Sequence, residues 1–329
     1  MADLSAPGQQ PKPTVVQWLV DTRKLWPRAE KTAMLETEVR ANEALALLNQ
    51  DERKSVLKYL FVRDAKLSLV SHLLKHYAVS RLLDIPWAET RISRNARTKP
   101  VYVDPITKQT HIDFNVSHQA GLVALIAGYG FGESQGDQTA VDVGCDVVCV
   151  DEREDRDHGM IAREGWPAFV DMHADVFAPG ELSYLKYQIL SAIPEGISPG
   201  ATQRDITNFK LRCFYTAWCL REAYVKMTGD ALLAPWLNVL EFRGFKPPRP
   251  APAMGTERDD GQDVVTEFDV RLRGQRVEDA NICLRSIGPN YMTCSAVRTQ
   301  QNKEIGLGLQ LAAYEMVEIE QILDWAKSH

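Results

Sequence analysis

Any chemistry in this 329-residue chain would rest on a few polar side chains set among apolar ones. Val141-Asp142-Val143-Gly144-Cys145-Asp146-Val147-Val148-Cys149-Val150 has the composition of a strand, in which side chains alternate faces. Gly144, Asp146, Val148 and Val150 then share one face, with Asp146 in the middle of it. An ionised carboxylate there is costly unless it is paired or bound to a cation; the alternative is an edge strand with Asp146 in water. In residues 214–226, Trp218, Glu222 and Lys226 fall at i, i+4 and i+8 on one helical stripe, flanked by Arg221 and Val225. A carboxylate and an ammonium one turn apart can serve as metal ligand or base beside a phosphate clamp, or simply as a solvated ion pair. Asn115-Val116-Ser117-His118 sets three polar side chains at a strand end, suited to a phosphate or to an ordinary turn. Arg91, Arg94, Arg97 and Lys99 precede Pro100; they grip phosphate if the backbone folds inward and otherwise form a charged loop.

The elements that must position these residues follow from periodicity and punctuation. Strands are expected at 14–20, 91–93, 101–103, 114–117, 122–127, 141–150, 264–272, 281–286 and 292–297. Helices are expected at 36–48, 51–61, 65–80, 162–174, 179–190, 209–227 and 309–327. The Gly-, Ser- and Gln-rich stretch 129–139 reads as a boundary, and 191–202 and 246–263 as surface loops. This gives a polar leader expected to be disordered (1–13), an N-terminal α+β half (14–139) and a C-terminal α+β half (140–329) carrying a metal site. Without regular βαβ alternation the class is α+β.

Composition excludes several classes. Hydrophobic residues make up 45% and charged residues 25%, the usual balance of a soluble domain, and no apolar run approaches membrane-spanning length. The polar start has no signal-like apolar core, so a cytoplasmic location is expected. Six scattered cysteines without a Cys-x-x-Cys pair read as reduced, buried thiols. Residues 1–139 carry a net charge of +3 and residues 140–329 of −9, an asymmetry suited to an anionic ligand gripped through a cation, or to a solvated basic face.

Taken in order along the chain, four motifs resemble those of the Sfp-type 4'-phosphopantetheinyl transferases. They are Arg97-Thr98-Lys99-Pro100, Phe114-Asn115-Val116-Ser117-His118-Gln119, Gly144-Cys145-Asp146-Val147-Val148 and Trp218-Cys219-Leu220-Arg221-Glu222-Ala223-Tyr224-Val225-Lys226. Arg63-Asp64-Ala65-Lys66 looks like the family's opening of a long helix, and residues 227–236 look like the fungal broad-range members. The resemblance implies two similar α+β halves packed as a pseudo-dimer with coenzyme A, the substrate, between them. It implies Mg²⁺ on Asp146 and Glu222, and Arg94, Lys99, Asn115, Ser117, His118, Arg221 and Lys226 around the coenzyme A. Glu222 and Lys226 would be catalytic, moving phosphopantetheine to a serine of an apo carrier protein and releasing 3',5'-ADP. Expected partners are carrier domains of fatty-acid, polyketide and nonribosomal-peptide synthases and aminoadipate reductase, with no nucleic acid and no membrane. A monomer is expected, because internal duplication removes the need for a dimer.

Three departures from the family pattern stand out. Val148 occupies the place of a second acid two residues after the aspartate, Arg221 stands where lysine is common, and Thr98 replaces a glycine before Lys99-Pro100. The rival readings are a non-catalytic coenzyme A or nucleotide-binding scaffold and a magnesium phosphohydrolase.

Overall fold

The computed structural model describes residues 12–132, 139–189, 200–230, 234–254 and 260–329. The leader expected at 1–13 lies outside them up to residue 11, as do most of the loop at 191–202 and residues 231–233 of the fungal-like run. The protein is α+β, built on two four-stranded sheets, each crossed by one long helix.

In the first sheet, the β-branched and aromatic run Thr14–Asp21 pairs antiparallel with Leu122–Tyr129, which pairs antiparallel with Ile112–Gln119 at the edge. Ala120 (φ 47°) and Gly121 (φ 89°) turn that hairpin in the left-handed region, as a two-residue connection requires. Helix Val62–Leu83 lies over the sheet and buries Leu69, Val70, Leu73, Leu74 and Tyr77. It stops at Asp84, whose left-handed φ of 53° and the following Ile85-Pro86 prevent another turn.

The second sheet runs Val141–Cys149, Tyr291–Thr299, Asn281–Ile287, Val264–Val265, with Val141–Cys149 at its edge. Helix Gln203–Thr228 is opened by Thr202 in a capping box with Asp205 and closed by Gly229 at φ 77°. Gly144 lets this helix approach: a Cβ there would fall 2.2 Å from the Ala223 carbonyl oxygen and 2.3 Å from the Met227 amide nitrogen. The glycine two residues before Asp146 therefore brings the Glu222–Lys226 segment onto the strand.

Several expectations change. The helix expected at 162–174 is two, Glu154–Glu164 and Trp166–Asp171, broken by Gly165 at φ 85°. Strand Leu240–Arg243, not anticipated, pairs with Asp269–Leu272. The helix expected at 309–327 shortens to Ile319–Ser328, and this tail does not stay with the C-terminal half. Glu315–Met316 adds a parallel strand beside Thr14–Asp21, and Val317, Ile319, Ile322 and Leu323 bury themselves in the core around Tyr77. The amphipathic C-terminal helix thus completes the N-terminal core. All six cysteines are buried and none is in a disulfide.

Candidate functional site

The two halves meet at Asp146. Its side chain is buried on the face that Gly144 predicts, and Lys226 Nζ donates to its Oδ1 at 2.7 Å. Ser117, from the other half, donates from Oγ to the same oxygen at 2.7 Å and accepts from Lys226 Nζ at 3.0 Å. Glu222 Oε2 lies 3.8 Å from Lys226 Nζ, one helical turn away. Both carboxylates therefore bear on one ammonium. Burial opposes the charged form of Lys226, but Asp146 and then Glu222 hold its pKa above the ordinary value. Burial, with Asp146 nearby, pushes the Glu222 carboxyl up despite Lys226, which suits a proton acceptor.

Two carboxylates converging on one cation are hard oxygen donors of the kind that hold a small divalent ion. Val148 lies on the same strand face and offers no third acid, and no group of three or more His, Cys, Asp or Glu side chains is gathered for a metal among the described residues. The donor set fits an ion that keeps water and phosphate oxygens in its remaining positions.

Not every residue expected here arrives. Arg221 is fully buried on a different side of the helix, where Nη1 donates to Glu181 Oε2 at 2.7 Å and to the Leu240 carbonyl at 2.6 Å. A residue one position before Glu222 is rotated about 100° around the helix, so it faces the Leu240–Arg243 strand rather than the cleft. There it pairs with Glu181 and stands away from the cleft in which the resemblance places it. Lys99 reaches the junction but is already engaged, donating to Asp113 Oδ2 at 2.5 Å and to the Val143 carbonyl at 3.2 Å, with both ion-pair side chains buried. Asn115 spends its Oδ1 on the Cys145 amide at 3.1 Å. Of the Asn115–His118 group, His118 alone is exposed; partial desolvation and then the Lys226 ammonium hold its pKa below the ordinary histidine value.

Arg94 is exposed on the short hairpin Ile92–Arg94/Pro100–Tyr102 and donates to the Thr98 carbonyl at 2.6 Å. The turn of that hairpin rests on the end of the long helix, where Arg97 Nη1 donates to the Thr228 carbonyl at 2.9 Å. Thr98 takes the left-handed φ of 67° that a glycine would adopt, so the loop keeps the path a glycine would give it, under strain.

Sequence reasoning missed Asp113 and Gln119. The signal was the alternation Asp113, Asn115, Ser117, Gln119, a polar period of two along a strand with Phe114 and Val116 between. Beyond Val148 and Trp218 opens a cavity of about 330 Å³, with Phe169, Met172 and Phe214 in its walls and Arg153 and Arg156 lining it as well.

Comparison with known proteins accords with this arrangement. The family described as "4'-phosphopantetheinyl transferase, N-terminal" matches residues 36–129, and the "4'-phosphopantetheinyl transferase superfamily" matches residues 142–279. The chain is 44% identical to 4'-phosphopantetheinyl transferase 1 of Fusarium mangiferae, over 95% of this chain and 96% of that protein. It is 33% identical to 4'-phosphopantetheinyl transferase NpgA of Emericella nidulans, over 87% of this chain and 83% of the relative. A more distant relative, at 25% identity over 70% of this chain and 74% of its own length, is the L-aminoadipate-semialdehyde dehydrogenase-phosphopantetheinyl transferase of Schizosaccharomyces pombe. With two family models in tandem and relatives this similar over nearly the whole length, the chain belongs to the 4'-phosphopantetheinyl transferases, and it is a transferase enzyme.

Proposed function

We propose that this transferase uses the cleft at Asp146 to move phosphopantetheine from coenzyme A, as its magnesium complex, to the serine of a carrier domain. The observation that carries the reading is the meeting of Asp146, Glu222 and Lys226 on a junction between halves, with His118 exposed beside them. Asp146 and Glu222 would hold Mg²⁺, which when bound supplies positive charge at the diphosphate. Lys226, already fully charged, neutralises the diphosphate from the helix side, while His118 and Arg94 meet the nucleotide phosphates. Asn115 and Lys99 serve the site from behind through Cys145 and Asp113. The cavity beyond Val148 and Trp218, with both apolar and polar side chains in its walls, suits the amide-bearing pantetheine arm.

Glu222 accepts the proton of the carrier serine as its oxygen bonds to the pantetheine-side phosphorus. The bond from that phosphorus to the bridging oxygen breaks, and its electron pair leaves on 3',5'-ADP. Positioning and charge neutralisation supply most of the rate in such a transfer. Fatty-acid, polyketide and nonribosomal-peptide carriers and an aminoadipate reductase are the proposed acceptors, the last because a relative's name includes an aminoadipate-semialdehyde dehydrogenase. Among the described residues no helix is long and apolar enough to cross a membrane. A cytoplasmic monomer completes the reading.

The test is to incubate the protein with coenzyme A, Mg²⁺ and apo carrier domains and weigh the carrier. A gain of one phosphopantetheine, abolished by Glu222→Gln in a folded protein, is expected. No gain on any carrier favours a coenzyme A-binding scaffold, and 3',5'-ADP release without carrier favours a hydrolase.

A further inference from the structure

Strand Val141–Cys149 is an edge strand, paired through its backbone only with Tyr291–Thr299 among the described residues. Alternate amides of an edge strand point away from its sheet and lack a ladder partner. Past the first residue of the strand these are the amides of Val143, Cys145, Val147 and Cys149, since the even-numbered positions face Tyr291–Thr299, as the bond from the Val150 amide to the Asn290 carbonyl (2.8 Å) illustrates. Each of these four amides is taken by a side chain of strand Ile112–Gln119, itself the edge of the other sheet. Val143 donates to Asp113 Oδ2 (2.7 Å), Cys145 to Asn115 Oδ1 (3.1 Å), Val147 to Ser117 Oγ (3.4 Å) and Cys149 to Gln119 Oε1 (3.3 Å).

Every rung joins two residues thirty apart in the chain, so one register holds across all four. Lys99 fastens the first rung, bonding both Asp113 and the Val143 carbonyl. The third rung enters the site: the Ser117 hydroxyl that accepts from Val147 also donates to Asp146. The intervening Phe114 and Val116 pack into the N-terminal core, so the strand is anchored on one face and used as a row of acceptors on the other.

We infer that this side-chain ladder fixes the register between the two halves, and that Asp113, Asn115 and Gln119 are positioning residues for the transfer. They hold Asp146 and its helix against the half that carries His118 and Arg94. A strand that slips by one residue turns every side chain to its other face, so without the rungs Ser117 would leave Asp146. This role rests on the transferase reading, but the ladder itself can be tested without activity.

Residue-resolved amide exchange on the full chain is the first measurement. Val143, Cys145, Val147 and Cys149 should be protected although they lie on an unpaired edge. In Asn115→Leu the Cys145 amide, and in Gln119→Met the Cys149 amide, should exchange at least tenfold faster, while Gly144, Asp146 and Val148 keep their protection. General loosening would accelerate both sets, and that outcome, or unprotected odd-numbered amides in the wild type, overturns the ladder. The second measurement is kcat for carrier modification in variants shown to be folded at the assay temperature. Asn115→Leu should lose about tenfold or more and Gln119→Met about threefold; the milder Gln119→Met keeps the test decisive if Asn115→Leu does not fold. Folded variants with wild-type kcat overturn the positioning role. If the wild type itself transfers nothing, the transferase reading fails and the exchange pattern still decides the ladder.

Discussion

Each half of the molecule carries a long helix with a lysine near a carboxylate, and the two lysines fare differently. In the N-terminal half, Glu52 is shared between His76 Nε2 at 3.0 Å and His72 Nδ1 at 3.4 Å, and also accepts from the Asn49 amide at 3.2 Å. Lys75 is left with His72, 3.4 Å away, and burial pushes its pKa down to about 8. In the C-terminal half no histidine intervenes between the carboxylates and the ammonium, and the half-buried Lys226 keeps its charge. A carboxylate consumed by histidines and a helix cap makes a closed joint. Two carboxylates balanced by one ammonium at an open cleft leave charge that a ligand can rearrange.

The sharpest way to break that contrast is to remove one carboxylate from each cluster. Glu222→Gln should lower transfer by about 10²–10⁴-fold, the range for losing a positioned proton acceptor, while the protein remains folded. Carrier mass shift under single-turnover conditions reads this loss; transfer within threefold of wild type would reduce Glu222 to a structural partner of Lys226. The same helix supplies an internal control. Arg221→Met should cost roughly 3–5 kcal/mol of stability because it strands Glu181 in a dry site, yet leave coenzyme A affinity of the folded protein unchanged. Denaturant unfolding beside isothermal titration with coenzyme A separates the two effects. A selective loss of affinity would return Arg221 to the cleft.

Much of this was legible in the sequence because the site is carried by regular elements. Period two placed Asp146 and Val148 on one face of a strand, and a 3.6-residue period set Glu222 and Lys226 on one stripe; both survive in the structure. What the periods could not give was the partner of the opposite face. Arg221 stood among the expected coenzyme A residues through the motif it shares with Glu222, and the unforeseen strand Leu240–Arg243 with Glu181 accounts for its burial. Lys99 read as a phosphate ligand from the basic run before Pro100; its partner Asp113 is fourteen residues away, and the pairing depends on how two sheets abut. The C-terminal helix shows its apolar stripe in the sequence, but not that it crosses to the other half. Local periodicity states which face is buried; it does not name the surface that buries it.

The closed joint should respond to acid. Burial works against the charged Glu52, but His72 and His76 hold its pKa well below the ordinary 4.5, and burial holds His72 below 6.5. Both folded values lie under their unfolded ones, so the unfolded chain takes up protons first and stability falls as pH drops. The His72 contribution is lost from pH 6.5 downward and the Glu52 contribution from 4.5 downward. Glu52→Gln should cost about 1–3 kcal/mol at pH 7 and flatten the decline below pH 4.5, leaving the His72 slope above it. Urea midpoints between about pH 2 and about pH 8 test this, and an unchanged slope below 4.5 would mean that Glu52 is not the acid-sensitive group.

The smallest effect lies in the turn that carries Lys99 from one half to the strand of the other. Thr98 is β-branched and sits at φ 67°, where its Cβ crowds the backbone at a cost of roughly 1–2 kcal/mol. Thr98→Gly removes that crowding but gives the unfolded chain more freedom, which returns about 0.4–1 kcal/mol. The remainder is a stabilisation between about 0 and about 1.6 kcal/mol, in a residue exposed to solvent and bonded through its carbonyl rather than its side chain. If the turn serves only to deliver Lys99 to Asp113, the variant should unfold at slightly higher urea with its coenzyme A affinity unaltered. A weaker grip on coenzyme A in the stabilised variant would instead make the strained turn part of the cleft, because relaxing it would have moved Arg94, whose guanidinium is tied to the Thr98 carbonyl.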